Sequence, residues 1–149
     1  MFIQFNANPS ANRVGDCSVR AISKATGKNW EEVYIGVCLQ GLMLHDMPSS
    51  NYVWGNYLES IGYERHMIST RGYTVEDFCK DYPEGSYILA ISGHVVACVD
   101  GRYFDTWDSG NEVVVYYWRK AHEQFYEPVL RTDESVSTDV KPTQSDLIR

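Results

Sequence analysis

Gly93-His94-Val95-Val96-Ala97-Cys98-Val99-Asp100-Gly101-Arg102-Tyr103-Phe104-Asp105-Thr106-Trp107-Asp108 has the pattern of a strand, a tight turn and a returning strand. The run Val95 to Val99 is mostly β-branched and too short for a helix, which makes it a buried strand. Asp100-Gly101 is a strong hairpin signal, because both residues tolerate the positive φ that a two-residue turn demands. With those two at the centre, Val99 faces Arg102, Val96 faces Asp105 and His94 faces Trp107. Side chains alternate with a period of two, so His94 and Val96 share a face, as do Asp105 and Trp107. Asp105 becomes a diagonal neighbour of His94, within reach of a carboxylate–imidazole contact, and Asp108 falls on the opposite face. A three-residue loop would reverse that parity.

The second stretch that carries chemistry is Gly15-Asp16-Cys17-Ser18-Val19-Arg20-Ala21-Ile22. Cys17 to Ala25 runs without a breaker and Gly27 supplies a stop, so the cysteine sits in the first turn of a helix. Unsatisfied N–H groups and the positive end of the helix dipole favour its thiolate, which is the nucleophilic form. A cysteine at a helix start, a histidine on a strand and a carboxylate orienting the histidine supply the three roles of covalent catalysis. The expected roles are Cys17 as nucleophile, His94 as general base and acid, and Asp105 as orienter. Arg20, one helical turn after Cys17, is positioned to hold the thiolate or a substrate carboxylate, or else to form a salt bridge. Trp107 either lines the cleft opposite His94 or covers the sheet.

These motifs resemble those of small papain-like cysteine peptidases, in layout the bacteriocin-processing peptidase domains of ABC transporters. Those domains have Asp-Cys at the start of a helix, a histidine leading an apolar strand and an aspartate shortly after a hairpin. The chain is also similar to phage and prophage proteins that share an Asp-Cys-x-x-Arg-Ala-Ile start and a Gly-His…Asp-Thr-Trp-Asp end. The resemblance spans Asn8 to Trp118. It implies a papain-like fold, a thioester intermediate and an oxyanion hole. Papain-like enzymes supply that hole with a Gln six residues before the cysteine, where this chain has Ala11. Asn12, or else Asn8, is left to present an amide, with the backbone N–H of Cys17 as the other donor. The transporter domains also have Gly after the cysteine and Pro after the aspartate, where this chain has Ser18 and Thr106.

Composition narrows the class. The 149 residues, 44% of them hydrophobic, suffice for one domain with a real core. No apolar run approaches the roughly 20 residues of a membrane span, so no membrane partner is expected. Met1-Phe2-Ile3-Gln4 has neither a charged n-region nor an apolar h-region, so the expectation is a cytoplasmic protein without a secretory signal. The formal net charge of −7 argues against phosphate contacts and hence against nucleic acid. Cys38, Cys79 and Cys98 read as structural thiols. No close pair of Cys or His ligands suggests zinc, so neither a metal nor a cofactor is expected.

Along the chain, Met1 to Arg13 reads as loop. Asn29 with Glu32 opens a helix that runs to Gln40 and stops at Gly41, with a flap over Gly41 to Asn51. Tyr52 to Ile61 reads as a third helix and Tyr63 to Ile68 as a strand, and Thr74 with Asp77 caps a fourth helix ending near Tyr82. Ser86–Ser92, Val95–Val99, Arg102–Trp107 and Glu112–Trp118 read as four strands of a meander. Helices first and antiparallel strands second make an α+β domain, with N-terminal helices packed on a C-terminal sheet. The domain is expected over 1–127, followed by a disordered tail over 128–149 rich in Ser, Thr, Asp and Glu.

The function expected is a cysteine hydrolase, a peptidase or isopeptidase acting on a protein or peptide. Deamidation and acyl transfer use the same thioester. The alternative class is a catalytically idle papain-like domain that binds a host or phage protein, and a further one is a virion component docked by its tail.

Overall fold

The computed structural model describes residues 1–121, so the expected tail lies outside the described residues. Each helix begins and ends where local chemistry dictates. Helix α1 (Cys17–Thr26) ends at Gly27, whose φ of 73° is the left-handed conformation that suits glycine. Helix α2 (Trp30–Leu44) is capped by Asn29, whose side chain accepts the Glu32 N–H at 2.8 Å. Helix α3 (Asn51–Ser60) follows, and α4 (Val75–Asp81) opens on a complete capping box between Thr74 and Asp77. No helix among the described residues is long and apolar enough to cross a membrane.

The strands are β1 (Phe2–Gln4), β2 (Tyr63–Met67), β3 (Ser86–Ile91), β4 (His94–Val99), β5 (Arg102–Asp105) and β6 (Tyr116–Lys120). They form one sheet in the order β1-β5-β4-β3-β6-β2, antiparallel except for the β1–β5 pair. The fold is mixed α and β, with four helices and six strands among the described residues, consistent with the α+β expectation. Asp100 and Gly101 both have positive φ and Val99 pairs with Arg102, the two-residue turn read from the sequence.

The unbroken apolar run of β4 reflects a sheet covered on both faces. Val95 and Ala97 pack with Val19, Ile22 and Trp54 in one core, beneath α1 and α3. Val96 and Cys98 pack with Phe78 and Tyr103 in the other, beneath α4. Each fully buried aliphatic side chain in these cores contributes about 1.5–3 kcal/mol relative to exposure. In the second core the Cys79 and Cys98 sulfurs meet at 2.6 Å.

Four features depart from the sequence reading. Phe2–Gln4 is a strand rather than loop, laid parallel along β5. α2 continues through Gly41 to Leu44 and stops at His45, which takes the left-handed conformation. Gly41 is needed inside the helix because a Cβ there would come within 2.7 Å of the Asp46 carbonyl oxygen. The last strand begins at Tyr116, not Glu112, and leaves the meander to pair with β3 and β2. The reason lies in 112–115, whose backbone serves the start of α4: Val75 N–H donates to Glu112 O and Val114 N–H to Tyr73 O, both at 2.9 Å. Finally, α4 covers the face opposite the first three helices, so the helices do not form a single layer.

Candidate active site

The N-terminus of α1 meets the sheet at the end where β4 begins and β5 finishes. Cys17 is the first residue of α1 and His94 the first of β4. The His94 imidazole neighbours the Cys17 sulfur, the two bordering the same clefts, and His94 together with the Val95 N–H favours the thiolate. His94 Nε2 lies 2.7 Å from Asp105 Oδ2, which leaves Nδ1 as the nitrogen available to the thiol. The Trp107 ring sits 5.3 Å from the His94 ring, centroid to centroid, and is partly exposed to the cleft.

Asp105 is almost wholly buried, with 2% of its side chain exposed. Its Oδ2 also accepts the Ser109 hydroxyl at 2.8 Å, its Oδ1 accepts the Thr106 N–H at 2.7 Å, and Arg20 Nη2 stands 3.9 Å away. That donor set fixes the carboxylate and lets it hold the ring in one orientation. Asp108 is engaged elsewhere: its Oδ1 accepts the Tyr103 hydroxyl at 2.6 Å and the Gly110 N–H at 3.2 Å.

The two partners alter each other's acidity. Burial raises the Cys17 thiol, but the His94 hydrogen bond and charge, the Val95 N–H and the Arg20 charge together pull it below its ordinary value. Burial opposes protonation of His94, but the bond to Asp105, and then that to Cys17, push it up to about 9. Both shifts favour the same charge state, a thiolate on Cys17 beside an imidazolium on His94.

Behind the sulfur runs a buried polar chain. Asp16 precedes α1 but makes no side-chain cap bond; its Oδ1 binds Arg20 Nη1 and its Oδ2 accepts the Trp30 indole N–H at 2.8 Å. Arg20 borders the cleft yet is turned inward, 7% exposed, and links Asp16 to the neighbourhood of Asp105. It therefore braces the start of α1 against the end of β5.

A cleft of about 670 Å³ opens on one side of Cys17 and His94, and a second of about 360 Å³ on the other. Asn12 lines the larger one, together with Gln4 and Asn6. Asn8, the other amide considered, is engaged in the loop, its Oδ1 accepting the N–H groups of Ser10 and Asn12. Ala11, at the position of the papain-like Gln, has a left-handed φ of 51° in that loop.

Gln4, Asn6, Asp16, Trp30 and Ser109 were not singled out as site residues from sequence. Asp16 lies inside the quoted cysteine motif and was legible as part of it. Ser109 reaches Asp105 through the turn four residues on, and Gln4, Asn6 and Trp30 come to the site through tertiary packing, with no spacing signal. Comparison with protein-family models, curated proteins and solved structures finds no match to this chain.

Proposed function

We propose that this chain is a papain-like cysteine hydrolase, a peptidase or isopeptidase that acts through a thioester. The observation that carries this reading is His94, held between the Cys17 thiol on one nitrogen and the buried Asp105 carboxylate on the other. A nucleophile at the start of a helix packed on the sheet, with a histidine at the start of a strand and an aspartate at the end of the next, supports the papain-like assignment.

In the first half-reaction the Cys17 thiolate attacks the scissile carbonyl carbon. The tetrahedral oxyanion is met by the Cys17 N–H and by an amide from the cleft wall, Asn12 being the candidate. His94 gives its proton to the leaving amine and the thioester forms. Water then enters, His94 takes its proton, and the acyl product leaves as a carboxylic acid. Asp105 holds the ring and stabilises its charge throughout.

Iodoacetamide and a peptide aldehyde, with modified residues mapped by mass spectrometry, test this reading. Selective modification of Cys17 that is lost in His94→Ala supports it. A Cys17 no more reactive than an ordinary thiol refutes it and favours the protein-binding alternative.

A further inference from the structure

The clefts flanking Cys17 differ in chemistry. On the larger side the walls are amides (Gln4, Asn6, Asn12), the Trp107 indole and the Arg13 guanidinium, and among the described residues no carboxylate lines it. Arg13 is exposed and forms no ion pair with any described residue, whereas Arg20 is buried and held by Asp16. In a chain of formal net charge −7 this wall stands out, and a surface lined by one sign of charge selects ligands of the other. The amides reinforce it. Gln4 Nε2 donates to Thr106 O at 3.1 Å and Asn6 Nδ2 to Asn12 O at 3.3 Å, which leaves each amide a second N–H to offer.

The smaller side has another character. Trp54, Ile91, Val115 and Tyr116 line it with Ser49 and Asn51, and among the described residues it holds no charged side chain apart from the Cys17–His94 pair common to both clefts. Gly15 and Gly93 also border both, and neither puts a side chain between the two clefts beside Cys17.

Resting on the hydrolase reading, we propose that the substrate is a peptide that crosses Cys17 with a carboxylate on the Arg13 side and an apolar or aromatic residue on the Tyr116 side. The guanidinium fork matches a carboxylate in two parallel hydrogen bonds, and the neighbouring amide N–H groups serve its remaining lone pairs. A lysine there would meet a like charge at Arg13. The carboxylate has two sources, an Asp or Glu side chain within the peptide or the C-terminus of a chain that ends there.

The experiment uses the full chain and internally quenched peptides randomised on both sides of the cleaved bond. Cys17 alkylation by iodoacetamide is followed on the same protein. Asp is expected over Asn by about fivefold in kcat/KM at one position on one side, on the scale of a well-placed exposed ion pair. Leu, Phe or Tyr is expected on the other side. Arg13→Glu should turn the Asp preference into a Lys preference. Peptides ending at that position as free acid or as amide separate the two sources: faster cleavage of the free acid, with no response to an internal Asp, assigns the C-terminus. A reactive Cys17 that cleaves Asp and Asn peptides equally, cleaves none of the library, or keeps its acidic preference in Arg13→Glu overturns this proposal alone. An unreactive Cys17 overturns the hydrolase reading and this one with it.

Discussion

Asp105→Asn isolates the charge behind His94 with little change of shape. The Asp105 side chain is 2% exposed and its Oδ2 lies 2.7 Å from His94 Nε2. The separation between the ordinary histidine value of 6.5 and about 9 corresponds to roughly 3 kcal/mol, shared by Asp105 and then Cys17, of which about 2 falls to Asp105 after screening by water in the cleft. Losing that much stabilisation of the imidazolium costs about 30-fold in rate. An Asn amide can also turn its NH₂ toward the ring and favour the wrong tautomer, which extends the loss to about 10²–10⁴-fold. The assay is kcat/KM on a quenched peptide from pH 5 to 10, alongside the pH profile of Cys17 alkylation. Because the folded value of His94 is raised, its share of stability is complete below about pH 6.5 and is lost as pH climbs through about 9. In Asp105→Asn the alkaline limb of activity should move toward neutrality, and thermal stability should depend less on pH across that window. Activity within threefold of wild type with an unmoved alkaline limb would refute the orienting role.

Three further outcomes are expected. At pH 7 Cys17 should alkylate faster than Cys38, Cys79 and Cys98, since its partners favour the thiolate while contact with Cys79 and burial push Cys98 upward; equal rates in the folded protein refute the activated thiol. Arg20→Met leaves the buried Asp16 carboxylate with only the Trp30 N–H and should cost about 3–5 kcal/mol in denaturant melts; an unchanged midpoint refutes the supporting role. Asp108→Asn should leave turnover within about twofold, because Asp108 bonds Tyr103 and Gly110 rather than His94; a drop like that of Asp105→Asn in steady-state kinetics refutes that division of roles.

What was legible in the sequence was chemistry set by near neighbours. The Asp100-Gly101 turn fixes the pairing of Val99 with Arg102, and parity then carries Asp105 to His94. The Thr74–Asp77 box and the Gly27 stop are likewise local. What failed to show depended on distant partners. Phe2–Gln4 is too short to display a period and becomes a strand only because β5 offers an edge. Gly41 reads as a stop, yet it continues the helix where the Asp46 backbone comes close. Glu112–Val114 has the residues of a strand, but its hydrogen bonds go to the start of α4 and the segment before it. In the site, Trp30 has the same invisibility, since nothing near it in the chain announces the Asp16 carboxylate it binds.

The pairing of Gln4 with Asp105 has a consequence in time as well as in space. It closes a loop of about a hundred residues, among the least local contacts this chain can make, and such contacts form late in folding. A chain emerging from the ribosome presents its cysteine early, on a helix near the N-terminus. The histidine, the carboxylate that charges it and the strand bearing Gln4 reach that cysteine only after residues beyond Ser109 have been made. Until then the sulfur is an ordinary thiol. The surroundings that favour the Cys17 thiolate are therefore assembled only as the fold is completed.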